Sequence, residues 1–184
     1  MLTHIDHVGI ACRDLEEKIE FYCATFGLTV ATREVHEEQG VREAMLLVAT
    51  ADPELGGVPD LRATATAGAG SPGTDLRAAA GGAGTGVLPV TASYIQLLEP
   101  LGPDTPVGKF LARHGEGIHH IGYGVTDVRG ALETIGATGI RLVDERPRHG
   151  SMGASIAFLH PADVGGVLTE LVEHPLKPED DSGL

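Results

Sequence analysis

Apolar and polar positions along the chain set out a series of short elements. Residues 4–12 carry few charges and read as a strand. Asp14 then suits a helix N-cap, with Glu17 three residues later as in a capping box. Leu15, Ile19, Phe21, Tyr22 and Phe26 recur at roughly helical spacing, and Gly27 ends that helix. Residues 28–35 and 41–48 read as a hairpin turning at Glu37-Glu38-Gln39-Gly40. Ser93-Tyr94-Ile95-Gln96-Leu97-Leu98 is a strand with a polar residue inside it, and Thr105 to Arg113 is a short helix or turn region. A strand over 117–125, a helix over 127–136 and strands over 140–145, 154–160 and 167–172 complete the pattern.

One phrase in this pattern occurs twice. His7, Gly9 and Asp14 reappear as His120, Gly122 and Asp127, each 113 positions on. Apolar residues match in the same register: Val8 with Ile121, Ile10 with Tyr123, Leu15 with Val128. Several matches at one spacing imply a duplicated module. We therefore expect one α+β domain over 1–184, built from two βαβββ modules, 4–98 and 117–174, as a cupped mixed sheet.

Composition changes the picture in one place. From about 51 to 92 the chain is mostly Ala, Gly, Thr, Pro and Asp, with too little large apolar surface to offset its ordering entropy. It reads as an insertion with weak order from about Thr64 to Gly86; residues 175–184 read as a frayed acidic tail. Elsewhere the 42% hydrophobic content is that of a globular protein. No run approaches the roughly 20 apolar residues of a membrane span. A formal charge of −13 argues against nucleic acid or an anionic membrane as partner. Two cysteines and no signal-like N-terminus make the cytoplasm the expected location.

The repeat also gathers candidate chemistry. Glu170 follows His120 by 50 positions and Gln96 follows His7 by 89. The excess of 39 is close to the length of the low-complexity stretch, so Gln96 and Glu170 occupy equivalent sites. First-strand and last-strand side chains of each half then come together. His7, Gln96, His120 and Glu170 offer two imidazoles and two oxygen donors, enough for one divalent ion. A strand histidine taken alone is a core or surface residue; these two differ because both occupy one repeat site. His119 should point to the opposite sheet face from His120. Glu43 has Ile156 as its repeat counterpart, so the repeat gives no architectural reason for an acid there.

These residues resemble the vicinal oxygen chelate superfamily and, within it, the methylmalonyl-CoA epimerase family. The motifs carrying the resemblance include Ile5-Asp6-His7-Val8-Gly9-Ile10-Ala11, Glu37 to Glu43, Ile95-Gln96-Leu97, Gly117-Ile118-His119-His120-Ile121, Phe158-Leu159-His160-Pro161 and Gly166 to Leu171. The likeness spans about residues 4–50 and 92–175. It implies His7, Gln96, His120 and Glu170 as metal ligands, Glu43 as an acid–base carboxylate and Glu170 as its partner on the other face. It also implies one divalent ion, with Co²⁺ favoured over Mn²⁺, Ni²⁺ or Zn²⁺, and an acyl-CoA substrate, methylmalonyl-CoA, epimerised through an enolate. A homodimer is the expected assembly. Arg42, Lys109, Arg113, Arg146 and Arg148 are candidates for the coenzyme A phosphates, on charge and loop position. Two other classes stay open: a glyoxalase I-like lyase, which usually has glutamate where this chain has Gln96, and a non-enzymatic small-molecule binding module, which generally lacks the metal set. An extradiol dioxygenase would need a three-ligand site, and Gln96 as a fourth ligand argues against it.

Overall fold

The computed structural model describes residues 1–48 and 92–175. The first module runs β1 (Leu2–Ala11), α1 (Leu15–Phe26), β2 (Thr29–His36), β3 (Val41–Val48) and β4 (Ser93–Pro100). Helix α2 (Pro106–His114) joins it to β5 (Gly117–Val125), α3 (Val128–Gly136), β6 (Arg148–His149), β7 (Ser155–Leu159) and β8 (Leu168–Glu173). All eight strands form one curled mixed sheet in the order β2-β3-β4-β1-β5-β8-β7-β6. β1 and β5 meet antiparallel at its centre, and each pairs in parallel with the last strand of its own module.

The helices begin where local chemistry says they should. The Asp14 carboxylate accepts from the Glu17 backbone N–H, and Asp127 accepts from that of Gly130, so each cap satisfies a donor that the first turn leaves unpaired. Gly27 closes α1 in the left-handed region at φ 69°.

Period-two alternation then sorts each strand into a helix face and a cup face. On β3, Ala44 and Leu46 lie against Leu15 and Ile19 of α1, together with Leu97 of β4. In the second module Ala157, Leu159 and Leu171 lie against Val128, Ala131 and Leu132 of α3. Leu97 is fully buried, so Leu97→Ala should cost about 2–5 kcal/mol in a denaturant melt. The alternate positions on the same strands carry Glu43, Gln96 and Glu170, buried in the cup with His7 and His120. Val107 and Leu111 of α2 pack on Val41, Leu98 and Ala11, closing one side of it.

The strand expected over 140–145 does not form. Leu142 makes only an isolated bridge to Leu159, and the N–H groups of Val143 and Asp144 both turn to the Phe158 carbonyl. The Asp144 carboxylate takes the Phe158 N–H at 2.9 Å, so a side chain replaces the ladder's backbone acceptor. Regular pairing resumes only at Arg148–His149, inside the segment expected to be a basic loop. The low-complexity insertion and most of the acidic tail lie outside the described residues. No helix among the described residues is long and apolar enough to cross a membrane.

Candidate metal centre and active site

Register places the four expected ligand residues on one face. Gly9 of β1 lies opposite Gln96 on one side and His120 on the other. Gly122 of β5 lies opposite His7 and Glu170. Since residues two apart on a strand share a face, the rows Gln96–Gly9–His120 and His7–Gly122–Glu170 point into the same cup. The two glycines are what let the imidazoles lie flat. A β-carbon at Gly9 would collide with the His120 ring, and one at Gly122 with the His7 ring. The repeated glycine two places after each histidine therefore holds space for the other module's histidine.

The side chains converge tightly. His7 Nε2 and His120 Nε2 stand 2.9 Å apart, and Glu170 Oε2 lies 2.8 Å from the first and 3.2 Å from the second. All three residues are buried. Despite those distances, Glu170 Oε2 has no hydrogen-bond partner of proper geometry, and neither does the buried Gln96 Oε1. An unpartnered buried oxygen costs about 1–3 kcal/mol, so two beside two clustered imidazole nitrogens describe a cation cage that fits a divalent ion. The electrostatics agree. Burial alone would raise the Glu170 carboxyl, but the His120 and His7 imidazoles beside it hold it down to about 2. Burial would lower His7, but its bond to Asp6 and the adjacent Glu170 carboxylate push it up to about 9. A metal ion in this cage would compete with protons for the same lone pairs.

Each imidazole is held from behind by the residue just before it. Asp6 Oδ1 stands 2.8 Å from His7 Nδ1, and its Oδ2 stands 2.8 Å from His174 Nε2. His119 Nδ1 stands 3.0 Å from His120 Nδ1. His119 was expected on the opposite face, and the structure corrects this. β1 and β5 slip in register between Ile5 and His7 and again between Gly9 and Ile10, which leaves Asp6 and His119 as the extra residues of two β-bulges. A bulge breaks the two-residue alternation and lets neighbouring side chains reach one another. Burial, followed by the adjacent His120, pushes the His119 imidazolium down to about 4. The ring is neutral at ordinary pH and free to accept from His120.

Glu43 sits beside this centre, 3% exposed. Gln96 Nε2 donates to its Oε2 at 2.8 Å, the Ser151 hydroxyl donates to its Oε1, and His36 Nε2 stands 3.2 Å from Oε1. Ser151 comes from a single 3₁₀ turn in which Met152 takes φ 56°, pinned by a 2.9 Å bond from its N–H to Glu34 Oε1. A cavity of about 220 Å³ opens over these groups, lined by Glu43, Gln96, His120 and Glu170 with Leu98 and Phe158. A second groove beside His119 is edged by Lys109, Arg113 and His114. Of the other candidate cations, Arg42 is tied to Glu99 at 2.7 Å, and Arg148 reaches Asp144 at 3.2 Å and lies over the Phe158 ring; Arg146 is exposed.

The four cage residues and Glu43 are legible in the sequence; the roles of Asp6, His36, Ser151 and His174 are not. Asp6 carried a usable signal, because its repeat counterpart is His119 and both precede a cage histidine. Ser151 carried none, since only the strained turn brings it across the cup.

Comparison with known proteins fits this geometry. Residues 6–158 match the Glyoxalase/Bleomycin resistance protein/Dioxygenase superfamily. The chain is 35% identical over 173 residues to the ethylmalonyl-CoA/methylmalonyl-CoA epimerase of Cereibacter sphaeroides, covering 93% of this chain and 98% of that one. A structure of Streptomyces coelicolor methylmalonyl-CoA epimerase in complex with 2-nitronate-propionyl-CoA is 42% identical. It superposes with a TM-score of 0.73, covering 96% of this chain and 100% of that one. A methylmalonyl-CoA epimerase in complex with methylmalonyl-CoA and NH4+ is 43% identical, with a TM-score of 0.72 and coverage of 95% and 96%. Repeat, sheet and matched residues together make this chain a member of the Glyoxalase/Bleomycin resistance protein/Dioxygenase superfamily.

Proposed function

We propose that the protein interconverts (2R)- and (2S)-methylmalonyl-CoA by removing the proton between the carboxylate and the thioester and returning one to the opposite face. The observation that carries this reading is a buried carboxylate, Glu43, facing the same cavity as the His7, His120 and Glu170 triangle. The names of the similar proteins support the same substrate.

His7, Gln96, His120 and Glu170 would hold one divalent ion, for which the resemblance favours Co²⁺. When bound, such an ion supplies the positive charge that makes an enolate oxygen tolerable and fixes the substrate's orientation. The chain's own groups handle the protons. Glu43 is the base on one face. Donors from Gln96 and Ser151 aim its carboxylate. Glu170 is our nominee for the other face, as the resemblance implies. Lys109 and Arg113, at the edge of the second groove, are the best-placed candidates for the coenzyme A phosphates.

Turnover of methylmalonyl-CoA, assayed beside methylglyoxal plus glutathione, tests the reading. Epimerisation of the first, with no lactoylglutathione from the second, is expected. The reverse result would establish a glyoxalase I-like lyase. Absence of both, in protein that carries no metal, would point to a binding module.

A further inference from the structure

Glu43 has a problem that its burial creates. Epimerisation with one proton removed and a different one returned leaves Glu43 protonated and the opposite group deprotonated. The base must shed that proton before the same epimer can react again. At 3% exposure it has little direct contact with bulk water. Of its three hydrogen-bond partners, the Gln96 amide cannot carry a proton, and the Ser151 hydroxyl leads back to Gln96 at 3.0 Å. The third is an imidazole.

We propose that His36 relays protons between buried Glu43 and half-exposed Glu34, resetting the base after each turnover. The proposal rests on the epimerase reading above. Its geometry is simple: His36 Nε2 lies 3.2 Å from Glu43 Oε1 and 3.5 Å from Glu34 Oε2. Glu34 and Glu43 are opposite each other on β2 and β3, and His36 is two residues along, so all three share the cup face. Side-chain exposure rises along the path from 3% at Glu43 to 18% at His36 and 30% at Glu34. In the relay the Glu43 O–H bond breaks and a His36 Nε2–H bond forms, giving imidazolium and carboxylate. A small swing of the ring then passes the same proton to Glu34 Oε2, which releases it to water. One nitrogen serves both steps, so the ring returns to its starting tautomer. The hydrogen bond to Glu43, against the opposing effect of burial, raises the His36 pKa above its ordinary value. That makes the imidazolium an accessible intermediate.

A second cation bound by these three residues is the competing reading of the cluster, and the hydrogen bonds oppose it. Glu34 Oε1 is committed to the Met152 N–H, and both Glu43 oxygens are committed to protein donors.

The test uses His36→Gln, which keeps a donor to Glu43 but cannot carry a proton, and His36→Ala, which leaves space for free imidazole. The reset falls outside kcat/KM, because it occurs on the free enzyme between turnovers. For His36→Gln, kcat should drop by about tenfold or more while kcat/KM stays within about threefold. With α-deuterated substrate in ordinary water, deuterium should persist in the acyl-CoA pool through more inversions than in wild type. Added imidazole should restore kcat to His36→Ala. If kcat and kcat/KM fall together without imidazole rescue, His36 merely supports Glu43 and the relay is wrong. Unchanged kcat and unchanged label loss also overturn it. A wild-type protein that does not epimerise methylmalonyl-CoA removes the parent reading itself, which the wild-type control shows separately.

Discussion

The two modules are built to one plan and loaded with different chemistry. Each supplies a histidine on its first strand, a glycine two places on, a bulged residue just before the histidine, and an aspartate cap 7 positions after it. Each pairs its first strand in parallel with its last. The differences fall on the cup face. The first module carries Asp6, Glu43 and Gln96 where the second carries His119, Ile156 and Glu170. Shared positions bring the two cage imidazoles together across a pseudo-symmetric centre. Divergent positions set the two walls apart: one presents the Glu43 carboxylate, and the facing wall presents Ile156 and Phe158.

The largest expected effects break what the halves share. Chelation, or His120→Ala, should abolish both metal content and turnover, read by elemental analysis beside activity. Gly9→Ala and Gly122→Ala should each strip metal to a similar extent, since each new β-carbon strikes the opposite module's ring. A large loss from one glycine and none from the other would contradict the equivalence of the halves.

Smaller effects sharpen what the halves do not share. Asp6→Asn and His119→Asn both remove a partner from a cage imidazole, and such outer partners are each worth about 10–100-fold in metal affinity. Asp6 should matter more, because it is an anion that also pairs with His174. Competition titration of the metal reads the difference, and a larger loss from His119→Asn would reverse the ranking.

Much of the fold was legible because the determinants were local or repeated. Asp14, Asp127 and Gly27 announce helix ends through backbone donors and a left-handed turn, which sequence shows directly. The cage was legible because duplication wrote it twice in one register. Two classes of feature stayed hidden. Bulges at Asp6 and His119 overturn the alternation that sequence reasoning assumes, so His119 was placed on the wrong face. Long-range satisfaction of polar groups also leaves no local trace. Asp144 captures the Phe158 N–H and cancels a strand, while Glu34 captures the Met152 N–H and delivers Ser151 to Glu43.

The smallest effect is a pH slope. The His119 imidazolium is held down to about 4 from its ordinary 6.5, so between these values the unfolded chain binds a proton that the folded chain does not. The neutral ring's contribution is present above pH 6.5 and is lost as pH falls toward 4. His119→Gln should therefore melt with a shallower loss of Tm over that window than wild type, both compared free of metal. Parallel curves would show that His119 titrates normally.

The most direct test of the division of labour between the modules is deuterium exchange by Glu43→Gln in D₂O, with each epimer supplied separately. Glu43 lies outside the cage, so metal binding and folding should survive the change, while epimerisation falls by on the order of 10²–10⁴. Wild type should wash deuterium into the substrate as it inverts. The variant should exchange one epimer slowly without inversion, through the surviving group on its own face, and scarcely exchange the other. Equal loss of exchange from both epimers, or unchanged turnover, would contradict the assignment of Glu43 to one face of the enolate.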